Sequence, residues 1–163
     1  NYEKLLSSSE LLEEYIYRSL TMKKNLIEID EFDKSERNVM NYGHSFGHAI
    51  ETATNYSIPH GIAVTIGMDM ANYIAVKLDQ SSDSIFEKMH KVLHINSEEY
   101  RKHPIDHKLL LSALNKDKKN TKDKLRLILP DNNGSIRIGL YDKNPRLSFF
   151  IQEYLQEYHY KKS

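Results

Sequence analysis

The apolar positions near the start of the chain follow the period of an α-helix. Between Leu11 and Leu20 they recur at spacings of three and four, with acidic residues in the first turns and lysines near the end of the stretch. This pattern predicts an amphipathic helix over residues 9–28, capped by Ser9. A second helical stretch is predicted over about 36–54, after a polar connection.

The middle of the chain contains a long run with few polar positions. Residues 60–78 carry small and apolar side chains all round, which is typical of a helix buried on most sides. Pro59 disfavours helix at the residue before it, so a loop over 55–59 is predicted to precede this helix. Shorter helices are predicted at 82–94, 97–103 and 106–115.

Apolar and polar residues alternate towards the end of the chain. Residues 125–129 and 135–140 alternate and flank the sequence Pro-Asp-Asn-Asn-Gly, which indicates one small β-hairpin. A last helix is predicted over about 145–160, with a proline at its first position. The predicted fold is therefore mainly α with one small β-hairpin, in a single domain of residues 1–163. No strand, glycine-rich loop and helix follow one another, so no dinucleotide-binding motif is predicted.

The composition excludes several classes of protein. Lys plus Arg and Asp plus Glu each number 23, and without a long basic cluster this balance argues against nucleic-acid binding. The absence of Cys excludes a disulfide framework, a thiolate zinc site and a cysteine nucleophile. No apolar run approaches the roughly 18 residues of a membrane span, and the N-terminus lacks a signal-peptide pattern. A cytoplasmic location is therefore predicted.

Glycine and histidine are concentrated in one window of the chain. His44 and His48 each follow a glycine directly, which indicates that some group approaches the backbone closely there. The two histidines are one helical turn apart, and His60 follows a loop long enough to fold back. Two helices joined in this way can direct imidazoles from both at one metal ion.

Histidine spacing alone is a weak signal, because the chain repeats it elsewhere. The same spacing occurs in His90/His94, predicted to be solvated on a charged helix, and in His103/His107, which Pro104 interrupts. The window 37–61 is preferred because it also contains Arg and Asn. Two basic candidates stay open at this point. Lys23 is a helix-end lysine or an active-site group, and residues 117–122 are a basic surface turn or an anion clamp.

Two segments together resemble a known family. Residues 41–51, Asn-Tyr-Gly-His-Ser-Phe-Gly-His-Ala-Ile-Glu, resemble the signature of the 3-dehydroquinate synthases, and residues 60–68 resemble the segment that follows it. The spacing of Lys23 and Arg37 upstream, and of the Asp-Lys-Lys segment at 117–119 downstream, is also similar to the family. The resemblance covers roughly 9–140 and corresponds to the mostly helical C-terminal domain of that enzyme.

The resemblance implies an activity and two cofactors. The family are carbon–oxygen lyases of the shikimate pathway of aromatic amino acid biosynthesis, and they convert a seven-carbon keto-acid sugar phosphate (DAHP) to 3-dehydroquinate. They use NAD and a divalent metal, zinc or cobalt, and eliminate phosphate. By this resemblance the expected partner is a small sugar phosphate, the complete protein is a homodimer, and the NAD-binding domain precedes Asn1. The chain alone is expected to be inactive.

The resemblance also assigns residues one by one. His44 and His60 match the histidine metal ligands, while His48 matches a substrate contact, which overrules the simpler idea that both members of the first pair bind metal. The other matches are catalytic or substrate-binding positions: Lys23, Arg37, Asn41, Lys118 and Lys119. The third metal ligand of the family is a Glu expected before Asn1. Ile62 stands where the family usually has a Glu, which could orient a metal-binding imidazole.

Three alternatives stay open. The first is another sugar phosphate cyclase, such as a deoxy-inosose or valiolone synthase, although Asn41 and His48 favour the dehydroquinate synthase branch. The second is an iron-type polyol or alcohol dehydrogenase domain, which lacks the complete set of similar segments. The third is a catalytically inactive helical domain retained as an interaction module.

Overall fold

The computed structural model describes residues 2–5, 7–32, 36–117 and 120–160. The chain divides into two compact units, Asn1–Met40 and Asn41–Ser163. The first unit contains a short helix α1 (Tyr2–Leu5) and the long helix α2 (Ser9–Ile29). A 3₁₀ helix, Glu36–Asn41, ends where the second unit begins.

Helix α2 occupies the residues that the periodicity predicts, but Ser9 is not its cap. Ser8 has extended backbone angles, and its hydroxyl accepts a hydrogen bond from the Leu11 amide at 3.3 Å. Ser8 therefore satisfies one of the unpaired amides of the first turn. No residue of α2 is buried. Within the described residues, no helix combines the length and the apolar character needed to cross a membrane.

The second unit contains most of the regular structure. Its elements in chain order are α3 (His44–Ala53), α4 (His60–Lys77), α5 (Asp83–Ser97), α6 (His107–Asn115), β1 (Lys124–Pro130), β2 (Ile136–Asp142) and α7 (Pro145–Tyr154). The two strands pair antiparallel, with Lys124 opposite Asp142 and Pro130 opposite Ile136. The predicted fold class, mainly α with one small hairpin, is confirmed.

Helix α4 forms the centre of this unit. Ala63, Ile66, Met70 and Ile74 are among its fully buried residues, and α3, α5, α7 and β1 all pack against it. A helix surrounded on all sides cannot have a polar face, which explains why the sequence shows so few polar positions there. The prediction of a buried helix over 60–78 is confirmed.

Three predicted helices differ from the observed ones. The stretch 36–54 is divided at Gly43, whose φ of +78° breaks the helix before α3 begins. The stretch 97–103 is helical only as a 3₁₀ turn at Glu98–Tyr100. The last helix is α-helical to Tyr154 and continues as a π-helical segment, Leu155–His159.

The glycines next to the histidines pack against helix α4. A Cβ on Gly43 would lie 2.6 Å from Met68 Cγ and 2.8 Å from the Val64 carbonyl oxygen. A Cβ on Gly67 would lie 2.7 Å from the Gly47 amide nitrogen and closer still to the Gly43 oxygen. The close approach predicted from the sequence is therefore that of one helix backbone to another.

Two glycines of α4 provide a matched pair of substitutions. Gly67→Ala is expected to lower the free energy of unfolding by about 1–3 kcal/mol or more, because two backbone segments must separate to admit the methyl group. Gly61→Ala should be neutral or slightly stabilising, since no atom lies within 4 Å of the added Cβ. Urea denaturation of both variants checks this, and equal losses would contradict the packing argument.

A buried carboxylate joins helix α4 to α5 and α7. Asp69 is fully buried, and its Oδ2 atom accepts hydrogen bonds from Arg101 Nη2 at 2.8 Å and from the Tyr154 hydroxyl at 2.7 Å. His90 Nδ1 lies 2.8 Å from the same oxygen. Burial raises the pKa of Tyr154, so its hydroxyl keeps the proton that it donates.

This network corrects the prediction for the second histidine pair. His90 is only partly exposed and contacts the Asp69 carboxylate, while His94 is buried at 7% exposure. The two residues are therefore not solvated surface groups. Their role in this structure is in the packing of α5 on α4.

Candidate metal and substrate site

Three imidazole rings converge where helices α3 and α4 begin. His44 is the first residue of α3, His48 lies one turn further along it, and His60 is the first residue of α4. The ring centroids of His44 and His48 are 5.6 Å apart, those of His44 and His60 are 5.4 Å apart, and those of His48 and His60 are 5.6 Å apart. The structure therefore brings together histidines from both helices.

The loop between the helices determines where His60 lies. Asn55 and Tyr56 both have positive φ, which reverses the chain, and the Tyr56 amide donates to the Glu51 carbonyl oxygen at 2.7 Å. Ile58 follows with 1% exposure and anchors the loop in the core. Because the loop is held at both points, α4 starts beside the side chains of α3.

The Nδ1 atoms of His44 and His60 each face an oxygen acceptor. His44 Nδ1 lies 3.3 Å from the Tyr42 carbonyl oxygen, and His60 Nδ1 lies 3.2 Å from each Glu51 carboxylate oxygen. A histidine that donates from Nδ1 carries its lone pair on Nε2, which is the form that binds metal. His48 makes no ring hydrogen bond within the described part of the chain.

The carbonyl group that His44 faces belongs to the backbone of Tyr42, and the Tyr42 side chain fixes its position. Its hydroxyl donates to the Asn72 side-chain oxygen and lies 3.4 Å from the Met68 carbonyl oxygen, both on α4. Burial raises the pKa of Tyr42, so the hydroxyl stays protonated and continues to donate. The residue before Gly43 is thereby fixed to α4, and the start of α3 with it.

The donor groups at this position fit a divalent metal ion. His48, Glu51 and His60 each offer one ligand atom, and these atoms all lie within 4.8 Å of one another. Imidazole nitrogen and carboxylate oxygen are the ligands that zinc takes in catalytic sites, at about 2.0–2.2 Å. His60 belongs both to this group and to the His44/His60 pair that the family resemblance implies.

A cleft of about 280 Å³ opens beside these histidines. Asn41, His44 and His48 line one part of it, and Lys116, Asp117 and Arg126 line another. Lys116 and Arg126 are not among the site residues predicted from the sequence. The signal for Arg126 is the alternation of β1, since Arg126 lies between the buried residues Leu125 and Leu127 and so faces away from the core.

Two predicted basic residues lie in the first unit. Lys23 is exposed on α2. The Arg37 amide donates to Asp30 Oδ2 at 3.2 Å, and its Nη1 atom donates to the Glu31 carbonyl oxygen at 3.0 Å. Both of these partners of Arg37 belong to the same unit as Arg37 itself, Asn1–Met40.

Two further lysines predicted as substrate-binding residues follow the residues of the cleft in the sequence. Lys118 and Lys119 lie outside the described residues, although Lys116 and Asp117 directly before them line the cleft.

Ile62 is partly buried and packs against the apolar core, as its side chain requires. Any carboxylate that orients a metal-binding imidazole of this chain must therefore come from elsewhere.

This fold is that of the helical domain of dehydroquinate-synthase-like enzymes. A solved structure of 2-deoxy-scyllo-inosose synthase, complexed with carbaglucose-6-phosphate, NAD⁺ and Co²⁺, is similar with a TM-score of 0.79. The match covers 90% of this chain and 43% of that one, at 25% identity. A second structure of that enzyme, at 24% identity and a TM-score of 0.77, supports the fold.

The chain belongs to the family of 3-dehydroquinate synthase C-terminal domains, whose model matches residues 1–120. It is 36% identical to the 3-dehydroquinate synthase of Saccharolobus solfataricus over 83% of this chain and 40% of the relative. It is 39% identical to that of Dictyoglomus turgidum over 76% of this chain and 35% of the relative. The chain thus spans about two-fifths of the length of these relatives.

Proposed function

We propose that this chain is the metal- and substrate-binding part of a protein that converts DAHP to 3-dehydroquinate and releases phosphate. The observation that carries the proposal is the pair formed by His44 and His60, whose Nδ1 atoms both face an oxygen acceptor. The two rings then present the same nitrogen, Nε2, from adjacent helices. The names of the curated relatives support the choice of reaction.

The residues of this chain have distinct roles in the proposal. His44 and His60 hold zinc or cobalt through Nε2, and His48 contacts the substrate beside them. A metal bound there would supply Lewis-acid polarisation of the alcohol that is oxidised, and NAD, which we assign mainly to a part of the protein outside this chain, would supply the hydride chemistry. The amide of Asn41, which lines the same cleft, orients the substrate by hydrogen bonding.

Two cations line the cleft, beside the carboxylate of Asp117, and can bind anionic groups of the proposed substrate. DAHP carries a carboxylate and a phosphate group, and Arg126 offers a planar guanidinium that suits either anion. Lys116 adds a second positive charge in the same cleft. Lys118 and Lys119, which follow in the sequence, and Lys23 and Arg37 of the first unit are the further basic residues that we assign to the substrate.

Turnover by the complete protein tests this proposal. With NAD and Zn²⁺ present, the protein that contains this chain is expected to release phosphate from DAHP and to form 3-dehydroquinate. The 163-residue chain alone is expected to show no turnover, because it contains no dinucleotide-binding motif. A complete protein, loaded with metal and NAD, that leaves DAHP unchanged would contradict the proposal, and turnover by the chain alone would contradict the assignment of domains.

The structural comparison supports one alternative, a cyclase that acts on a hexose phosphate. The similar 2-deoxy-scyllo-inosose synthase was solved with carbaglucose-6-phosphate, a ligand without a carboxylate. Assays with DAHP and with glucose 6-phosphate, run side by side, separate the two functions. Preference for glucose 6-phosphate would favour the alternative, and preference for DAHP would support the proposed function.

A further inference from the structure

We propose that Glu51 is a positioning residue, whose carboxylate holds the His60 ring through Nδ1 and so directs Nε2 at the metal. Both carboxylate oxygens lie 3.2 Å from Nδ1, so the N–H group points between them. The inference rests on the proposed function, since it requires a metal ion at His60.

The burial of the two side chains shows which one holds the other. The Glu51 side chain is 12% exposed, whereas the His60 side chain is 55% exposed. A side chain that is more than half exposed is restrained less by packing than a buried one, even though the His44 and His48 rings lie beside it. A nearly buried carboxylate that accepts from Nδ1 supplies this restraint and also sets the tautomer.

The backbone around Glu51 is fixed well enough to serve this role. Its carbonyl oxygen accepts from the Tyr56 amide at 2.7 Å and from the Thr54 hydroxyl at 3.3 Å. These bonds join the last turn of α3 to the loop that leads to His60. The Glu51–His60 contact therefore closes a short, internally bonded segment.

Direct ligation by Glu51 is the competing role, because its carboxylate also lies near His48. A metal ion bound between Glu51 and His60 Nδ1 would replace the hydrogen bond that the structure shows. Among the described residues, the group of ligand atoms that contains Glu51 does not contain His44, although the Nδ1 contact of His44 leaves its Nε2 for a ligand. If Glu51 positions His60 through Nδ1, both the Glu51–His60 contact and the contact between His44 Nδ1 and the Tyr42 carbonyl oxygen are kept.

Titration of the complete protein with Co²⁺ tests the inference, because visible absorption reports both the affinity and the ligand geometry. Glu51→Ala is expected to weaken Co²⁺ binding by about 10–100-fold and to shift the absorption bands, since partners of metal-bound histidines have effects of this size. Glu51→Gln keeps an acceptor oxygen and should recover part of the affinity. Glu87→Gln, an exposed change on α5, should leave both the affinity and the bands unchanged.

Each other outcome has a definite meaning. Unchanged affinity and bands in Glu51→Ala would overturn the positioning role. Complete loss of Co²⁺ binding in both Glu51 variants, equal to the loss in His60→Ala, would show direct ligation and overturn it as well. A wild-type protein that binds no Co²⁺ would overturn this inference and the proposed metal centre together. A protein that binds Co²⁺ but does not convert DAHP would overturn the proposed reaction alone.

Discussion

Replacement of His44 by alanine is expected to remove zinc from the complete protein and to lower the turnover of DAHP by more than about 100-fold. Mutation of a group that only hydrogen-bonds to a metal-bound histidine already lowers metal affinity or activity by about 10–100-fold. The loss of a direct ligand is expected to have a larger effect. His44 and His60 each provide one nitrogen ligand in the proposed site. Without His44, the ion would keep only one of these two histidine ligands. Zinc content by mass spectrometry and phosphate release measure the two effects.

His90→Ala is the matched control, because His90 and His94 have the same spacing as His44 and His48. His90 contacts Asp69 in the interior, so this variant should keep its zinc while losing some stability. His48→Ala separates the two donor sets at the site. It should keep zinc and lose turnover if His48 contacts the substrate, and it should lose zinc if His48 is a ligand. Full zinc content in His44→Ala would show that the ligand assignment is wrong.

Replacement of Asp69 by alanine is expected to lower the free energy of unfolding by about 3–5 kcal/mol. The change leaves the Arg101 guanidinium at 4% exposure without its carboxylate, and it removes the acceptor of the buried Tyr154 hydroxyl. Urea denaturation measures the effect. Asp123→Ala, at an exposed position, should change stability by no more than about 0.5 kcal/mol. Similar losses in the two variants would show that the network does not stabilise the fold.

The fold could be predicted from the sequence where local pattern and burial agree. Helix α4 is apolar all round because it is surrounded, and β1 and β2 alternate on either side of a turn sequence. The break at Gly43 could not be predicted in this way, because the flanking residues favour a helix. What breaks it is a positive φ, required by the contact with α4, and this contact is long-range.

The contact between His90 and Asp69 could not be predicted for a similar reason. Its own helix carries many charged residues, which indicates exposure, and its partner Asp69 lies on the helix with the fewest polar positions. A single buried charge in an apolar helix requires compensating donors, and three separate segments supply them here. Only the tertiary structure shows which segments these are.

The candidate site was partly predictable. The convergence of His44 and His60 follows from a short loop between two helices, and the sequence shows both. Arg126 joins the cleft only because β1 packs near α3 and α6, and Glu51 meets His60 only because the loop reverses at two residues with positive φ. The alternation of β1 shows that Arg126 faces away from the core, but no periodic signal shows which cleft it lines or that Glu51 meets His60.

The two histidines that we assign to the metal and the carboxylate that contacts His60 all belong to one helical hairpin, α3 and α4. His44, Glu51 and His60 are close in the sequence, so little chain entropy is lost when they meet. Contacts between residues close in the sequence are expected to form early in folding, because no long loop has to close before they are made. An ion bound there stabilises the folded hairpin over the unfolded chain in proportion to the logarithm of its concentration. Metal supply would then act on the folding of this segment as well as on its chemistry.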